Sequence, residues 1–260
     1  MIEIVELDSL TADPLVQKFA LRRDSEWEST DEMIIDSERV IQRAVNLGIR
    51  PKAILLTPQT LERHRPWLSK GKDCKIFVAT EKLIESLVGS RVHQTMMAIA
   101  DRPKHRPLSS IGPSAIFLNS NNDPQNVGSI IRSCHAFNVS TVMYDRQTCS
   151  PYARRSIRVS MGSVFWTNNV FVEDTPTSLE QLKRQGYQIV AAHLGPQSQS
   201  LRGFRFQEPT VLVIGQENSG VSKDILALCD AFVKIDTSES IDSLNAASAA
   251  SILLYELSRA

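Results

Sequence analysis

Between residues 115 and 236 six short runs are apolar with little interruption: AIFLN, TVMYD, NVFVE, QIVAAHL, TVLVIG and AFVKID. A strand with one wet face alternates polar and apolar residues, so runs as continuous as AIFLN and TVLVIG belong to a sheet covered on both sides. The stretches between them supply that cover. DPQNVGSIIRSCHAF (123–137), SLEQLKRQG (178–186), SKDILALC (222–229) and SLNAASAASILLYELSRA (243–260) all read as helices. Strands alternating with helices predict an α/β fold with a mostly parallel sheet and helices on both faces.

Upstream, RPKHRPLSSIGPS (102–114) holds three prolines and few apolar residues, and reads as a linker. Before it a second strand–helix alternation runs through MIIDSERVIQRAVNLG (helix), AILLT (strand), TLERHRPWLS (helix), KIFVAT (strand), EKLIESLVG (helix) and TMMAIA (strand). The expected division is a small α/β domain over 1–106, a linker over 107–112 and a larger domain over 113–260. No apolar run reaches the roughly 18 residues that span a membrane. The acidic start MIEIVELDSL lacks the basic and apolar segments of a signal peptide. The four cysteines, Cys74, Cys134, Cys149 and Cys229, show neither disulfide nor metal-ligand spacing, so no metal is expected and a reducing cytoplasm is.

The chain carries 29 basic and 29 acidic residues, but unevenly. Residues 1–38 hold eleven Asp/Glu against three Lys/Arg, whereas residues 39–106 hold fourteen Lys/Arg against five Asp/Glu. A further cluster, Arg146, Arg154, Arg155 and Arg158, contains no acid. Such blocks suit a phosphate backbone as well as a solvated surface.

Ligands of open parallel sheets bind at the carboxyl ends of strands. Three such ends stand out: LNSNNDPQNVG, VIGQENSGVS and KIDTSESIDSLNAAS. GQENSG (215–220) has G-x-E-x-x-G spacing, which places Glu217 where a dinucleotide fingerprint needs glycine near pyrophosphate. A carboxylate there repels phosphate. An adenosine ligand without phosphates, or a positively charged one, is tolerated, as is a simple glycine turn. SLNAASAAS (243–251) offers small residues for a flat ligand or for a tightly packed core helix, and Asn245 needs polar partners in either setting. His135, His193 and Cys134 read as structural.

The helix after AIFLN poses its own question. Asp123 suits the cap and Pro124 the first turn. At about 100° per residue Val127, Ile130, Ile131, Cys134 and Phe137 share one side. Arg132 falls opposite, with Gly128 one turn before it on the same bare face, although glycine costs about 1 kcal/mol relative to alanine inside a helix.

In this order DPQNVGSIIRSCHAF, VLVIGQENSGVS and IDSLNAASAASILLYE resemble the three motifs of the SpoU family of RNA ribose 2′-O-methyltransferases, in the knotted SPOUT superfamily. RRSIRVSMGSVF resembles a further segment common in relatives. The likeness covers roughly residues 113–258. More loosely, the first hundred residues resemble a ribosomal-protein-like RNA-binding domain, with VHQTMMAIADRP as the point of contact. The resemblance implies a deep trefoil knot, S-adenosylmethionine as cofactor, and a homodimer with active sites at its interface. It implies a structured RNA partner, ribosomal RNA before transfer RNA, gripped in part by Arg154, Arg155 and Arg158, and no membrane partner. Leu194, Gly195, Gly215, Ile235 and Leu244 match cofactor positions. Asn126, Arg132, Glu217, Ser243 and Asn245 match the conserved polar set, in which Arg132 either activates the ribose hydroxyl or orients it beside a phosphate. On this reading Gly128 keeps the Arg132 face clear for the second subunit and the RNA.

Four departures accompany the match. Ile235 is followed by Asp236 where the family usually has proline, TSESID lacks a common glycine, Ser243-Leu244-Asn245 is followed by Ala-Ala rather than Val-Ser, and Asn138 replaces a common glycine after the first helix. An RNA-binding or assembly protein without turnover is the alternative these changes leave open.

Overall fold

The computed structural model describes residues 3–259 except 10–12, 22–24, 29, 69–73, 90–95, 239 and 241–242. Residues 92–95 of VHQTMMAIADRP therefore lie outside the described residues. The chain divides into two compact units: Met1–Pro103 with Tyr152–Phe165, and Lys104–Pro151 with Trp166–Ala260.

The first unit contains β1 (Glu3–Leu7), α1 (Pro14–Phe19), α2 (Ser25–Glu28), β2 (Glu32–Asp36), α3 (Glu38–Asn46), β3 (Pro51–Leu56), α4 (Pro58–Leu68), β4 (Lys75–Ala79), α5 (Glu81–Val88) and β5 (Met96–Asp101). Its mixed sheet runs β1-β4-β3-β5-β2, antiparallel where β5 meets its neighbours. Val16, Phe19, Trp27, Leu55, Phe77 and Ile99 form its core. Helix α5 begins where Thr80 accepts from the Leu83 amide and stops at Gly89, whose φ of 63° suits glycine.

Two expectations are corrected here. Residues 33–36, expected to open a helix, form β2, because Met33, Ile34 and Ile35 are buried in succession and pair with β5. A left-handed Ser37 (φ 84°) then separates strand from helix. The first thirty residues, which suggest no element by pattern, supply β1, α1 and α2.

The second unit contains β6 (Ser114–Leu118), α6 (Pro124–Ala136) and β7 (Thr141–Tyr144). The chain then passes through α7 (Arg154–Val159) in the first unit, and returns as β8 (Asn168–Phe171), α8 (Thr175–Arg184), β9 (Gln188–Ala192), β10 (Gln199–Ser200), β11 (Thr210–Ile214), α9 (Lys223–Leu226), β12 (Ala231–Lys234) and α10 (Ala246–Leu257). All its strand pairs are parallel, in the order β10-β12-β9-β11-β6-β7-β8. Ala115, Phe117, Val211 and Val213 pack towards Leu179, Leu182 and Ile225 of α8 and α9. Their strand neighbours Ile116, Leu118 and Leu212, equally buried, point to the opposite face. Helices α6 and α10 pack on one another, joined by a 2.7 Å hydrogen bond between the Ser133 and Ser251 hydroxyls.

Residues 152–165, expected within the second domain, group instead with the first unit. Helix α7 packs on β2, and Arg154 donates from Nε (2.7 Å) and Nη2 (3.0 Å) to the carboxylate of Asp36, itself only 4% exposed. Arg43 of α3 donates to the carbonyl of Met161 at 2.8 Å, fastening the turn that follows α7.

Candidate active site

Strands β12, β9, β11 and β6 are consecutive neighbours and end on one edge of the sheet. Loops leaving that edge enclose a cavity of about 410 Å³, within the range of small-molecule sites, about 300–1,000 Å³. Its walls come from His193 and Leu194 after β9, residues 215–220 after β11, and Ile235, Thr237, Ser243 and Leu244 after β12. Ala246, Ala249 and Leu253 of α10 close it. Both uses of the small-residue run are thus realised on different faces of one helix: Ala246 and Ala249 border the cavity, while Ala250, Leu254 and Leu257 are core.

Backbone closure explains Gly215. The Gln216 amide donates to the Gly220 carbonyl (3.2 Å) and the Gly220 amide returns the bond (2.8 Å), folding 216–220 tightly back. A Cβ on Gly215 would lie 2.1 Å from the Gly220 carbonyl carbon and 2.2 Å from the Val221 nitrogen. Glycine is required there by the approach of another backbone segment. The β6 and β11 ends are tied together too, since Asn121 Nδ2 donates to the Ile214 carbonyl (2.9 Å) and Asn119 Oδ1 accepts from the Ser222 amide (2.9 Å).

Asn126, Glu217 and Asn245, which lie far apart in sequence, meet in a closed triangle. Asn126 Nδ2 donates to Glu217 Oε2 at 3.1 Å, Asn245 Nδ2 donates to the same oxygen at 3.2 Å, and also to Asn126 Oδ1 at 3.0 Å. Asn245 Oδ1 meanwhile accepts from the Ala247 and Ser248 amides, capping α10. The cap holds the amide in place, and the amide orients the carboxylate. Glu217 Oε1 has no partner among the described residues and remains an acceptor on the cavity wall.

Arg132 is exposed on α6 with no hydrogen-bond or ion-pair partner among the described residues. Gly128 is not on a bare face, contrary to expectation. It is buried, as are its neighbours Asn126 and Val127. Burial also pushes the Cys134 thiol of α6 far above its ordinary pKa, leaving it an inert core group. Asn138 adopts φ 59°, taking the left-handed place of the glycine it replaces.

Of the expected cofactor positions, Leu194, Gly215, Ile235 and Leu244 line the cavity, as do Glu217 and Ser243 of the polar set. Gly195 lies outside the described lining. A Cβ there would fall 2.4 Å from His193 Nε2, so this glycine makes room for an imidazole that does line the cavity. His193, read as structural from the sequence, lines the cavity, and Lys234 is a further lining residue outside the expected set. The available signal was positional: one follows β9 directly and the other is the last residue of β12.

Residues 113–255, more than half the chain, match the model of the SpoU rRNA Methylase family. The chain belongs to the SpoU methylase family. Among relatives of this SpoU methylase is an uncharacterised tRNA/rRNA methyltransferase of Mycobacterium tuberculosis, 27% identical over 87% of this chain and 81% of that one. The tRNA (guanosine(18)-2′-O)-methyltransferase of Aquifex aeolicus is 32% identical over 55% of this chain and 68% of its own length. An AdoMet-bound rRNA methyltransferase from Sinorhizobium meliloti superposes with a TM-score of 0.84, at 25% identity, covering 98% of each chain. S-adenosylmethionine is the cofactor of this SpoU methylase, which is an RNA methyltransferase.

The cavity suits that molecule. Apolar walls from Ile214, Val233, Ile235, Leu244 and Leu253 match an adenosine and thioether body, and backbone groups of 215–220 supply polar contacts. The Glu217 carboxylate complements a ligand with a cationic centre and no phosphate.

Proposed function

We propose that this SpoU methylase methylates a ribose 2′-hydroxyl in structured RNA, with ribosomal RNA favoured over transfer RNA. The Asn126–Glu217–Asn245 triangle carries this reading, because it fixes an acceptor on the cavity wall and leaves one carboxylate oxygen open. The Aquifex relative, named as a 2′-O-methyltransferase, supports the ribose as target. The likeness to the Sinorhizobium rRNA enzyme extends over nearly the whole of both chains, whereas the Aquifex tRNA enzyme matches about half of this one, and that difference supports ribosomal RNA. A protein without turnover is not favoured: the polar set is complete and a cavity of suitable size accompanies it.

S-adenosylmethionine supplies an electrophilic methyl carbon on a sulfonium. The protein's task is to bring a poor nucleophile into line and to weaken its O–H bond. Arg132 has five donors, no acceptor and a permanent charge. Its free guanidinium orients the hydroxyl and a neighbouring phosphate, lowering the cost of the developing alkoxide. Asn126 and Asn245 hold Glu217, and Ser243 and Glu217 present polar groups to the bound molecules. Leu194, Gly215, Ile235 and Leu244 hold the cofactor.

The working form is a homodimer. Ile252 (41% exposed) and Tyr255 (49%) project from α10, with Phe137 edge-on to the tyrosine at 5.6 Å, and this apolar surface is what a second copy covers. Threading of the C-terminal segment as a trefoil knot is part of the same reading. Its support is that β12, late in the chain, lies between β9 and β10, so the short connection from 192 to 199 passes over it. Exposed Arg155 and Arg158 of α7 contact RNA phosphates, and unit one serves as the RNA-binding domain. The four thiols, none in a disulfide, fit a cytoplasmic setting.

Mapping 2′-O-methyl groups in total RNA from cells with and without the gene tests the assignment. One ribosomal site is expected to disappear, to return with the wild-type gene, and to return at about 1% or less of the rate with Arg132→Ala. An unchanged map, or full restoration by Arg132→Ala, overturns it.

A further inference from the structure

The cavity wall formed by Ile235, Thr237, Ser243 and Leu244 leaves the sheet at the end of β12, where the resemblance leads one to expect Ile-Pro and this chain carries Ile235-Asp236. Proline at that point would set the exit direction covalently, by fixing its own φ near −65° and holding the preceding residue extended. Without it, another device must aim Ile235, Thr237, Ser243 and Leu244 at the cavity.

The structure supplies one. The Asp236 carboxylate accepts a short hydrogen bond from the Ser200 hydroxyl and lies 3.6 Å from Nε of Arg202. Ser200 Oγ in turn accepts from the Arg202 amide at 3.3 Å. The receiving turn is held by several backbone bonds and a buried ring. Ser200 pairs with Lys234 in the sheet, the Leu201 amide donates to the Lys234 carbonyl at 2.8 Å, and the Gly203 and Phe204 amides both donate to the Ser200 carbonyl. Phe204 is buried against Phe206, with ring centroids 5.0 Å apart. On the loop itself, Ser238 bonds to Ser240. Among the described residues from 235 to 244, Asp236 alone has a side chain hydrogen-bonded outside the loop. Its own amide has no acceptor among the described residues, so a proline there would forfeit no hydrogen bond they make.

We propose that Asp236 is a positioning residue for the cofactor: its clasp to Ser200 and Arg202 does for the cavity wall what a proline at that position would do. It is not among the residues that line the cavity. It sets how much of the wall is already formed before S-adenosylmethionine arrives, and preorganisation of that kind is read as affinity. Because half of the clasp is an exposed ion pair, its contribution falls as salt rises.

This inference rests on the cavity being the S-adenosylmethionine site, and the experiment separates the two. Asp236→Ala is expected to raise the calorimetric Kd for S-adenosylmethionine about 3- to 10-fold. It should also speed amide hydrogen exchange at 237–240 in cofactor-free protein and shift Tm by only a few degrees. Ser200→Ala should do the same, with less than additive effect in the double variant. Asp236→Pro is expected to restore both wild-type affinity and slow exchange while abolishing the salt dependence. Wild-type affinity and exchange in Asp236→Ala, or an Asp236→Pro variant as weak as Asp236→Ala, would overturn the clasp. If Leu244→Asp binds S-adenosylmethionine as wild type does, the cavity assignment fails, while the exchange rates still report on the clasp.

Discussion

A single missing methyl group decides the shape of the loop after β11. At Gly215 the space that a Cβ would need is occupied by the backbone of Gly220 and Val221, and backbone cannot step aside as a flexible side chain would. Gly215→Ala is expected to cost about 3 kcal/mol in urea unfolding and to weaken S-adenosylmethionine binding at least tenfold. A variant with wild-type stability would mean that 216–220 can open without loss. Gly215 is also a residue whose importance could be expected from sequence while its reason could not. The motif points to a cofactor contact, and the geometry adds a turn closing on itself beside the cavity. Gly195 and Gly128 carry the same lesson. One clears space for His193, and the other is buried, which a helical wheel cannot show because it sees only the helix.

Among elements, α7 shows how position changes the meaning of a charge cluster. Arg154, Arg155 and Arg158 look equivalent in the sequence, yet Arg154 is spent on the buried Asp36, 118 residues earlier. Arg154→Ala strands that carboxylate. It is expected to lower stability by about 2–3 kcal/mol, below the value for a fully buried pair because the arginine side chain is 24% exposed. Arg158, exposed and without an ion-pair partner among the described residues, should behave oppositely. Arg158→Ala is expected to leave stability within about 0.5 kcal/mol and to reduce the salt slope of RNA binding by about one. Filter binding across a salt series, beside urea melts, checks both; weakened RNA binding by a fully stable Arg154→Ala protein would reverse the assignment. The strands of the second unit were legible because doubly covered strands write themselves as unbroken apolar runs. Strand β10, two residues long, and β2, merged by pattern into the following helix, were not, since pairing partners rather than local periodicity define them.

For the whole molecule, the apolar surface of Phe137, Ile252 and Tyr255 sets the expected assembly. Sedimentation of the wild type should give twice the chain mass, and the paired substitution Ile252→Asp with Tyr255→Asp should give monomers with about 100-fold less methyl transfer. A wild-type monomer with full activity would remove the second copy from the site. The division into units carries a different consequence. Because 152–165 returns to the first unit, the chain passes between units three times, near 103, 151 and 165. A protease that cuts in 104–112 severs the covalent link to 1–103, and the packing of α7 on β2 with the Arg154–Asp36 pair is then what retains that fragment. Grafting the first unit onto a relative takes two segments of coding sequence, and exchanging only residues 1–103 would deprive Asp36 of Arg154. Substrate choice, if it resides there, is inherited as a pair of distant sequence blocks that must change together.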